Sequence, residues 1–385
     1  MKPSPLACLL AASLAAGAPA ARAQAFNSGS DGSFGPINAT ADLTLDLPPD
    51  GVIHATTVTV AAGRTLRFRR NALNTPVTLL AQGDVTIAGI IDISGQSGTG
   101  TAPGTGGPRG PGRGAPRRRR PPPGDGHGPG AGRAGSPSTT ADGAGGGAHA
   151  TRSTAGNSTR HGEVYGSALL IPVLGGSGGG GVPAWGGGGG GGAILIASGT
   201  RIQLTGQILA RGGNYSGLAF NSGSGGAIRL VSPVVAGTGM LDARGAAGSF
   251  GGLGNGRIRV DTLDRSQLTL NYQPTDTTAL GSLLLVNPVP LPRLDLVEVA
   301  GSAVPVGSGP VQVLLPFGAP AAQSVKVRAQ DFGGSVPVRL VLTPESGGSL
   351  TYDFDINNAA ANPAEATVNV EVPVNTRTSI AVWTR

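Results

Sequence analysis

One stretch recurs along this chain, and recurrence limits the available folds more than any composition does. Val77–Gly95 lies over Ile194–Gly212 without a gap: Val77 matches Ile194, Leu79 matches Ile196, Val85 matches Ile202, Ile87 matches Leu204 and Ile91 matches Ile208. A third copy starts at Gly225-Gly226-Ala227-Ile228 and, one residue shorter, runs to Gly245. A fourth, Gly256–Val260, supplies only the first half. Within a copy, apolar residues alternate with polar or small ones, and a period of two sends one set to one face of a strand. The opposite set carries Arg229, Arg257, Arg259, Asp92 and Asp242, so one face is expected to be buried and the other wet. Gly and Ser break each copy into short strands at corners where glycine lets the chain turn. A single copy cannot bury its apolar face. Stacked copies place Val77, Ile194, Ile228 and Ile258 in one ladder and so build a continuous core. The pattern predicts an all-β chain with a parallel β-solenoid, a right-handed β-helix, over residues 26–275. An antiparallel sandwich alternates as well, but it does not demand near-identical copies.

Residues 1–25 read as a signal peptide: Lys2 is the positive region, Leu6–Leu14 the apolar region, and Ala21-Arg22-Ala23 or Ala23-Gln24-Ala25 the cleavage site. Cys8, the one cysteine, lies inside that signal, so the mature chain has no disulfide, thiol catalysis or cysteine-based metal site. No later apolar run reaches the roughly 18 residues of a membrane span. The expectation is a secreted or cell-surface protein with no membrane span.

Between the first two copies lies an excursion, residues 96–192, rich in Gly, Arg and Pro. Nine arginines fall in residues 101–160, so the net charge of +7 belongs to this insertion and the rest of the chain is nearly neutral. Such composition has little apolar surface to offset backbone entropy, which predicts disorder or a polyproline-like state. Closure entropy grows slowly with loop length, so the insertion is expected to be dispensable for folding. Arg117, Arg118, Arg119 and Arg120 are candidates for binding an anionic polymer; they also read as solvated linker, or as a local reading-frame slip. Specific nucleic-acid recognition is not expected of an exported chain.

After Val260 the repeat fades, and prolines at 288, 290 and 292 mark a linker over 276–292. Seven alternating runs follow: Leu294–Val299, Val311–Leu315, Ser324–Ala329, Val336–Leu342, Leu350–Ile356, Ala366–Val372 and Thr378–Trp383. They predict a C-terminal immunoglobulin-like β-sandwich over 293–385.

The opening Phe26–Pro36, the stretch Val58–Leu66 and the rung Gly188–Ser198 give the chain a resemblance to secreted, glycine-rich, adhesin-like bacterial β-helix proteins. The likeness covers residues 26–95 and 170–385, while 96–192 depart from it. It implies the fold and an exported location, and it carries no catalytic residues.

For chemistry, Asp92 and Asp242 occupy one position in their copies, with Leu209 between them, and Arg211 and Arg244 follow two residues later. A β-helix acting on polysaccharide needs such carboxylates on neighbouring rungs. The competing reading is a solvated ladder of opposite charges. Trp185 and Tyr165 are candidates to stack on sugar rings. The four histidines show no ligand spacing, and Asp353, Asp355 and Asn357 lack the glycine and glutamate of a calcium loop, so neither metal nor cofactor is expected. These readings predict a non-catalytic structural or adhesive surface or matrix protein, with a polysaccharide-binding or polysaccharide-cleaving protein as the alternative. The partner foreseen in either case is cell-surface or matrix polysaccharide.

Overall fold

A computed structural model describes residues 26–99, 102–108, 124–135, 143–154, 158–182, 186–214, 222–246, 254–286, 292–306, 311–345 and 347–384. The described chain is nearly all β, with a single short 3-10 turn at Ser158–Arg160. The signal peptide reading, Arg117–Arg120 and Trp185 lie outside the described residues.

The first strands are β1 (Gly35–Ala39), β2 (Leu43–Asp46), β3 (Val52–Val60) and β4 (Thr65–Arg69). The first full copy supplies β5 (Val77–Ala81), β6 (Val85–Ile87) and β7 (Ile90–Asp92). The second supplies β8 (Ala193–Ser198), β9 (Arg201–Leu204) and β10 (Gln207–Leu209). Then come β11 (Ala227–Val231), β12 (Val234–Ala236), β13 (Met240–Asp242), β14 (Arg257–Asp261), β15 (Asn271–Gln273) and β16 (Thr278–Gly281). All of them pair in parallel. One curled sheet runs β12-β9-β6-β3-β5-β8-β11-β14-β16, with β1 also on β3, and a second runs β15-β13-β10-β7-β4-β2.

The register follows the sequence repeat residue by residue. Val77 pairs with Ile194, Ile194 with Ile228, and Ile228 with Ile258. The residue missing from the third copy is taken up in the turn after β11, because Val231 pairs with Ala197 but Val234 pairs with Arg201. Inward side chains from both sheets, among them Leu79, Ile91, Ile196, Ile208, Leu230 and Val260, form one buried core. Each such aliphatic side chain contributes about 1.5–3 kcal/mol on burial, which is why the repeat reads as an unbroken column of Val, Ile and Leu.

Two expectations fail here. The outer face of β5, β8 and β11 is not wet: Ala193, Leu195, Ala197, Ala227 and Val231 are buried in a second apolar layer with Leu80, Leu170 and Val173. Residues that return from the excursion cover them, and Leu284 and Val286 pack on the same layer from the other end. The excursion itself, where described, is not disordered. Its glycines form a packed layer of extended segments held by backbone hydrogen bonds.

The run Gly186–Gly192 shows how that layer is built. A Cβ on Gly186, Gly189 or Gly192 would run into the backbone at 93–108; on Gly187 or Gly190, into 176–180; on Gly188 or Gly191, into 210–226. A direction that repeats every third residue is the symmetry of a polyproline-II-type helix, which has no internal hydrogen bonds and turns its amides outward. The amides bond in all three directions. Gly189 N–H donates to Gln96 O at 3.0 Å, Gly191 N–H to Ser224 O at 2.9 Å, and Gly188 O accepts from Gly179 N–H at 3.0 Å. No side chain fits at any of these positions, so the run is glycine throughout. The sequence expectation of a polyproline-like state fits the symmetry of this run, and the described parts of the excursion are packed rather than disordered.

At the C-terminus, β17 (Arg293–Val299), β18 (Ser302–Ala303), β19 (Ala322–Gln330), β20 (Ser335–Pro344), β21 (Leu350–Asn357), β22 (Ala364–Glu371) and β23 (Thr378–Thr384) are antiparallel. They form sheets β18-β17-β19-β22 and β21-β20-β23 around a separate core that includes Val325, Val327, Val338, Leu340 and Val370. Val311–Leu315, expected as a strand, pairs with no strand among the described residues and is exposed for most of its length.

Candidate functional site

The outward side chains of the six-stranded sheet carry the charge ladder. Arg67 on β4 pairs in register with Asp92 on β7, Asp92 with Leu209 on β10, Leu209 with Asp242 on β13, and Asp242 with Gln273 on β15. Parallel strands lie about 4.8 Å apart, so Asp92 and Asp242, two rungs from each other, are separated by roughly 10 Å along the ladder. Arg211 and Arg244 sit just past the ends of β10 and β13, and both turn back on Asp242.

Asp242 is fully buried. Its Oδ1 accepts from the Arg244 amide at 3.1 Å and Arg244 Nε at 3.0 Å; its Oδ2 accepts from Arg211 Nε at 2.6 Å and Arg244 Nη2 at 2.7 Å. A carboxylate has about four lone-pair sites, and all four are taken. Burial by itself would raise its pKa, but the bonds from Arg244 and Arg211 outweigh burial and hold it below the ordinary carboxylate value. The same bond raises Arg244 above the usual arginine value. Asp92 is different. It is half-buried, caps the Ser94 amide at 3.0 Å and lies 3.7 Å from Arg67 Nε. The structure therefore joins three of the expected residues, Asp242, Arg211 and Arg244, and leaves Asp92 with Arg67.

Tyr165 is not placed to stack on a sugar. Its ring is buried against His149, with centroids 4.8 Å apart and planes at 28°. Its hydroxyl donates to Gly175 O and accepts from Ser177 Oγ at 3.0 Å. Ser177 Oγ in turn accepts from Gly130 N–H at 3.0 Å, and Ser224 Oγ accepts from Ser177 N–H at 2.7 Å. These hydroxyls sit where glycine segments converge and satisfy amides the layer cannot pair by itself. Asp353 likewise is held by both ends of the Arg339 guanidinium, at 2.8 Å each.

Sequence reasoning missed two buried polar clusters. In one, Arg229 is wholly buried. It donates to Asp261 Oδ2 at 3.1 Å and to Leu285 O at 2.7 Å, while Arg259 grips the same carboxylate at 2.8 and 2.7 Å. Burial presses Arg229 below the ordinary arginine value, and Asp261 opposes that shift. The cluster pins residues 282–286 onto the outer face of β11 and β14. In the other, His149 Nδ1 faces Gly225 O at 3.1 Å and Gly226 O at 3.2 Å, and Arg257 Nη2 donates to Tyr165 O at 3.2 Å. The recurrent Arg at outward positions of β11 and β14 was the available signal for the first cluster. For the second there was none, because a lone histidine in a glycine-rich stretch has no periodicity.

Among the described residues, no three His, Cys, Asp or Glu side chains gather where they could hold a metal ion. No described helix is long and apolar enough to cross a membrane. Comparison with family models, with curated proteins and with solved structures found no match.

Proposed function

We propose that the curled parallel sheets are faces of a right-handed β-solenoid and that the C-terminal antiparallel sheets form an immunoglobulin-like sandwich. On this reading the chain is an exported, non-catalytic structural or adhesive protein of a cell surface or matrix, akin to the glycine-rich adhesin-like proteins its rungs resemble. One observation carries the non-catalytic part. The deepest carboxylate of the charge ladder has every lone pair committed to two arginines, so it has no oxygen left to take or give a proton. The glycine layer supports the structural part, since backbone bonds in three directions make a stiff body that needs no side-chain chemistry.

The alternative keeps a polysaccharide as partner. Arg211 and Arg244 are partly exposed although Asp242 beneath them is buried, and two guanidinium groups against one carboxylate leave an excess positive charge on the sheet. That favours acidic over neutral glycans.

The test is a glycan array with purified protein, paired with turnover assays on acidic polysaccharides. The proposal expects no turnover. Cleavage abolished by Asp92→Ala or Asp242→Ala would overturn it. Export is checked by N-terminal sequencing of protein recovered outside the cytoplasm, which should begin at Gln24 or Phe26; a retained Met1 there would refute the signal.

A further inference from the structure

The parallel stack ends abruptly. Leu79, Ile196, Leu230 and Val260 form one inward column on successive strands, each in register with the next and each at 0% exposure. The next member is Leu280 on β16, paired with Val260, and it is 46% exposed. β16 is bonded to β14 on one side and, among the described residues, to no strand on the other. Leu283 and Leu285, just beyond it, are exposed as well. This end of the core thus has both an open row of backbone groups and uncovered apolar side chains, the combination that natural sheets usually blunt with charge, proline or a covering segment. No Asp, Glu, Lys or Arg lies between Thr277 and Val286.

The same chain carries a strand without a sheet. Val311-Gln312-Val313-Leu314-Leu315 alternates as a strand should, contains no charge, and pairs with no strand among the described residues. Leu314 is 81% exposed, and Phe317 beyond it is fully exposed. Such a contiguous apolar run at the surface marks an interaction site. Five residues match the four of β16, and Val311, Val313 and Leu315 lie on one face, as the column ending at Leu280 requires.

We propose that residues 311–315 of one molecule add to the free edge of β16 in a second copy, laying Val313 and Leu315 over Leu280 as the next rung. Strand addition of this kind takes its affinity from main-chain bonds and its specificity from alternate side chains. In the described molecule both the edge and the segment stand unpaired, so the occupant comes from another copy. The contact is head-to-tail. Each molecule offers one strand and one edge, and such contacts build rings or open chains rather than closed symmetric pairs.

The experiment measures mass against concentration, by light scattering on purified chain, for the wild type and for two variants. Val313→Asp/Leu315→Asp disables the strand, and Leu280→Glu disables the edge. All three positions are at least partly exposed, and circular dichroism checks that each variant folds. The wild type should form multimers whose size rises with concentration, and each variant alone should be monomeric. An equimolar mixture of the two should stop at the dimer, because one intact strand and one intact edge remain between them. A monomeric wild type at every concentration, folded variants that still multimerise, or a mixture that stays monomeric each overturns the proposal. The readout is self-association and not glycan binding or turnover, so its failure leaves the reading of the preceding subsection standing.

Discussion

His149 turns Nδ1 toward the carbonyl oxygen of Gly225, 3.1 Å away, from a position with no exposure to solvent. A carbonyl can only accept, so Nδ1 carries the proton, and Nε2 is left as a buried lone pair with no donor among the described residues. Burial, and after it the neighbouring Arg257 charge, lowers the pKa of His149 to about 4. Around it stand Tyr165 on one ring face, the carbonyls of Gly225 and Gly226, and the cationic Arg257; among the described residues no carboxylate faces it.

The first prediction is an acid-sensitive layer. Between the ordinary histidine pKa of 6.5 and about 4 the unfolded chain binds the proton and the folded chain does not. Stability is therefore full above pH 6.5 and falls with pH through that window, by on the order of 3 kcal/mol in total. Asp242, whose pKa is lowered from 3.8, loses its contribution only at more acidic pH. Urea melts from pH 7 to 4 should show a steeper loss for the wild type than for His149→Phe. Parallel profiles would exclude His149 as the cause.

Asp242 and Asp92 should separate on substitution. Asp242→Asn removes the charge that two arginines share at a buried site and should cost about 3 kcal/mol in denaturant melts. Asp92 has one distant arginine partner, so Asp92→Asn should cost less than about 1 kcal/mol. Equal costs would mean that the buried pairing is not what holds β10 to β13.

Neighbouring positions on β10 test the rung orientation. Ile208 is fully buried and Gln207 is not. Ile208→Asp should cost several kcal/mol by burying an unpaired carboxylate, while Gln207→Asp should stay within about 0.5 kcal/mol. Melts that shift equally would contradict the register.

Glycine should be required by place rather than by number. A Cβ on Gly189 would collide with the Thr105 and Gly106 backbone, and Thr105 O cannot yield without breaking its bond from the Gln96 N–H. Gly189→Ala should cost about 1–3 kcal/mol, in line with other overpacked interiors. Gly348, exposed and with nothing near its would-be Cβ, is the control, and Gly348→Ala should be neutral or slightly stabilising. By the same logic, replacing residues 96–190 with a short linker should now unfold or strongly destabilise the chain, because it strips the cover from Leu195 and its neighbours. A well-folded deletion, seen as an unchanged melting midpoint, would return the layer to the status of an appendage.

How much of this was legible beforehand depends on whether the information is local. The register of β5 on β8 and of β8 on β11 followed from matching Val77 to Ile194 and Ile194 to Ile228, since a stacked repeat pairs equivalent residues and a period of two tells which side chains turn inward. The column Asp92, Leu209, Asp242 was legible for the same reason. The seven-glycine run was legible as composition only. Its structural meaning needs three other segments, at 93–108, 176–180 and 210–226, arriving from distant parts of the chain to fill the space that side chains would otherwise occupy. Whether an outward residue meets water is likewise a tertiary matter. Arg229 and Arg257 looked like surface charges because their strands alternate; Arg229 is buried because residues 282–286 fold back over that face, and Arg257 is half-buried against Tyr165 and Gly166 of the excursion. Sequence by itself determined the rungs and their order, because strand alternation and repeat length are properties of neighbours along the chain. Tertiary structure alone decided which faces are covered, which charges are saturated, and that residues 311–315 pair with no described strand, because each depends on what another segment brings to the same place.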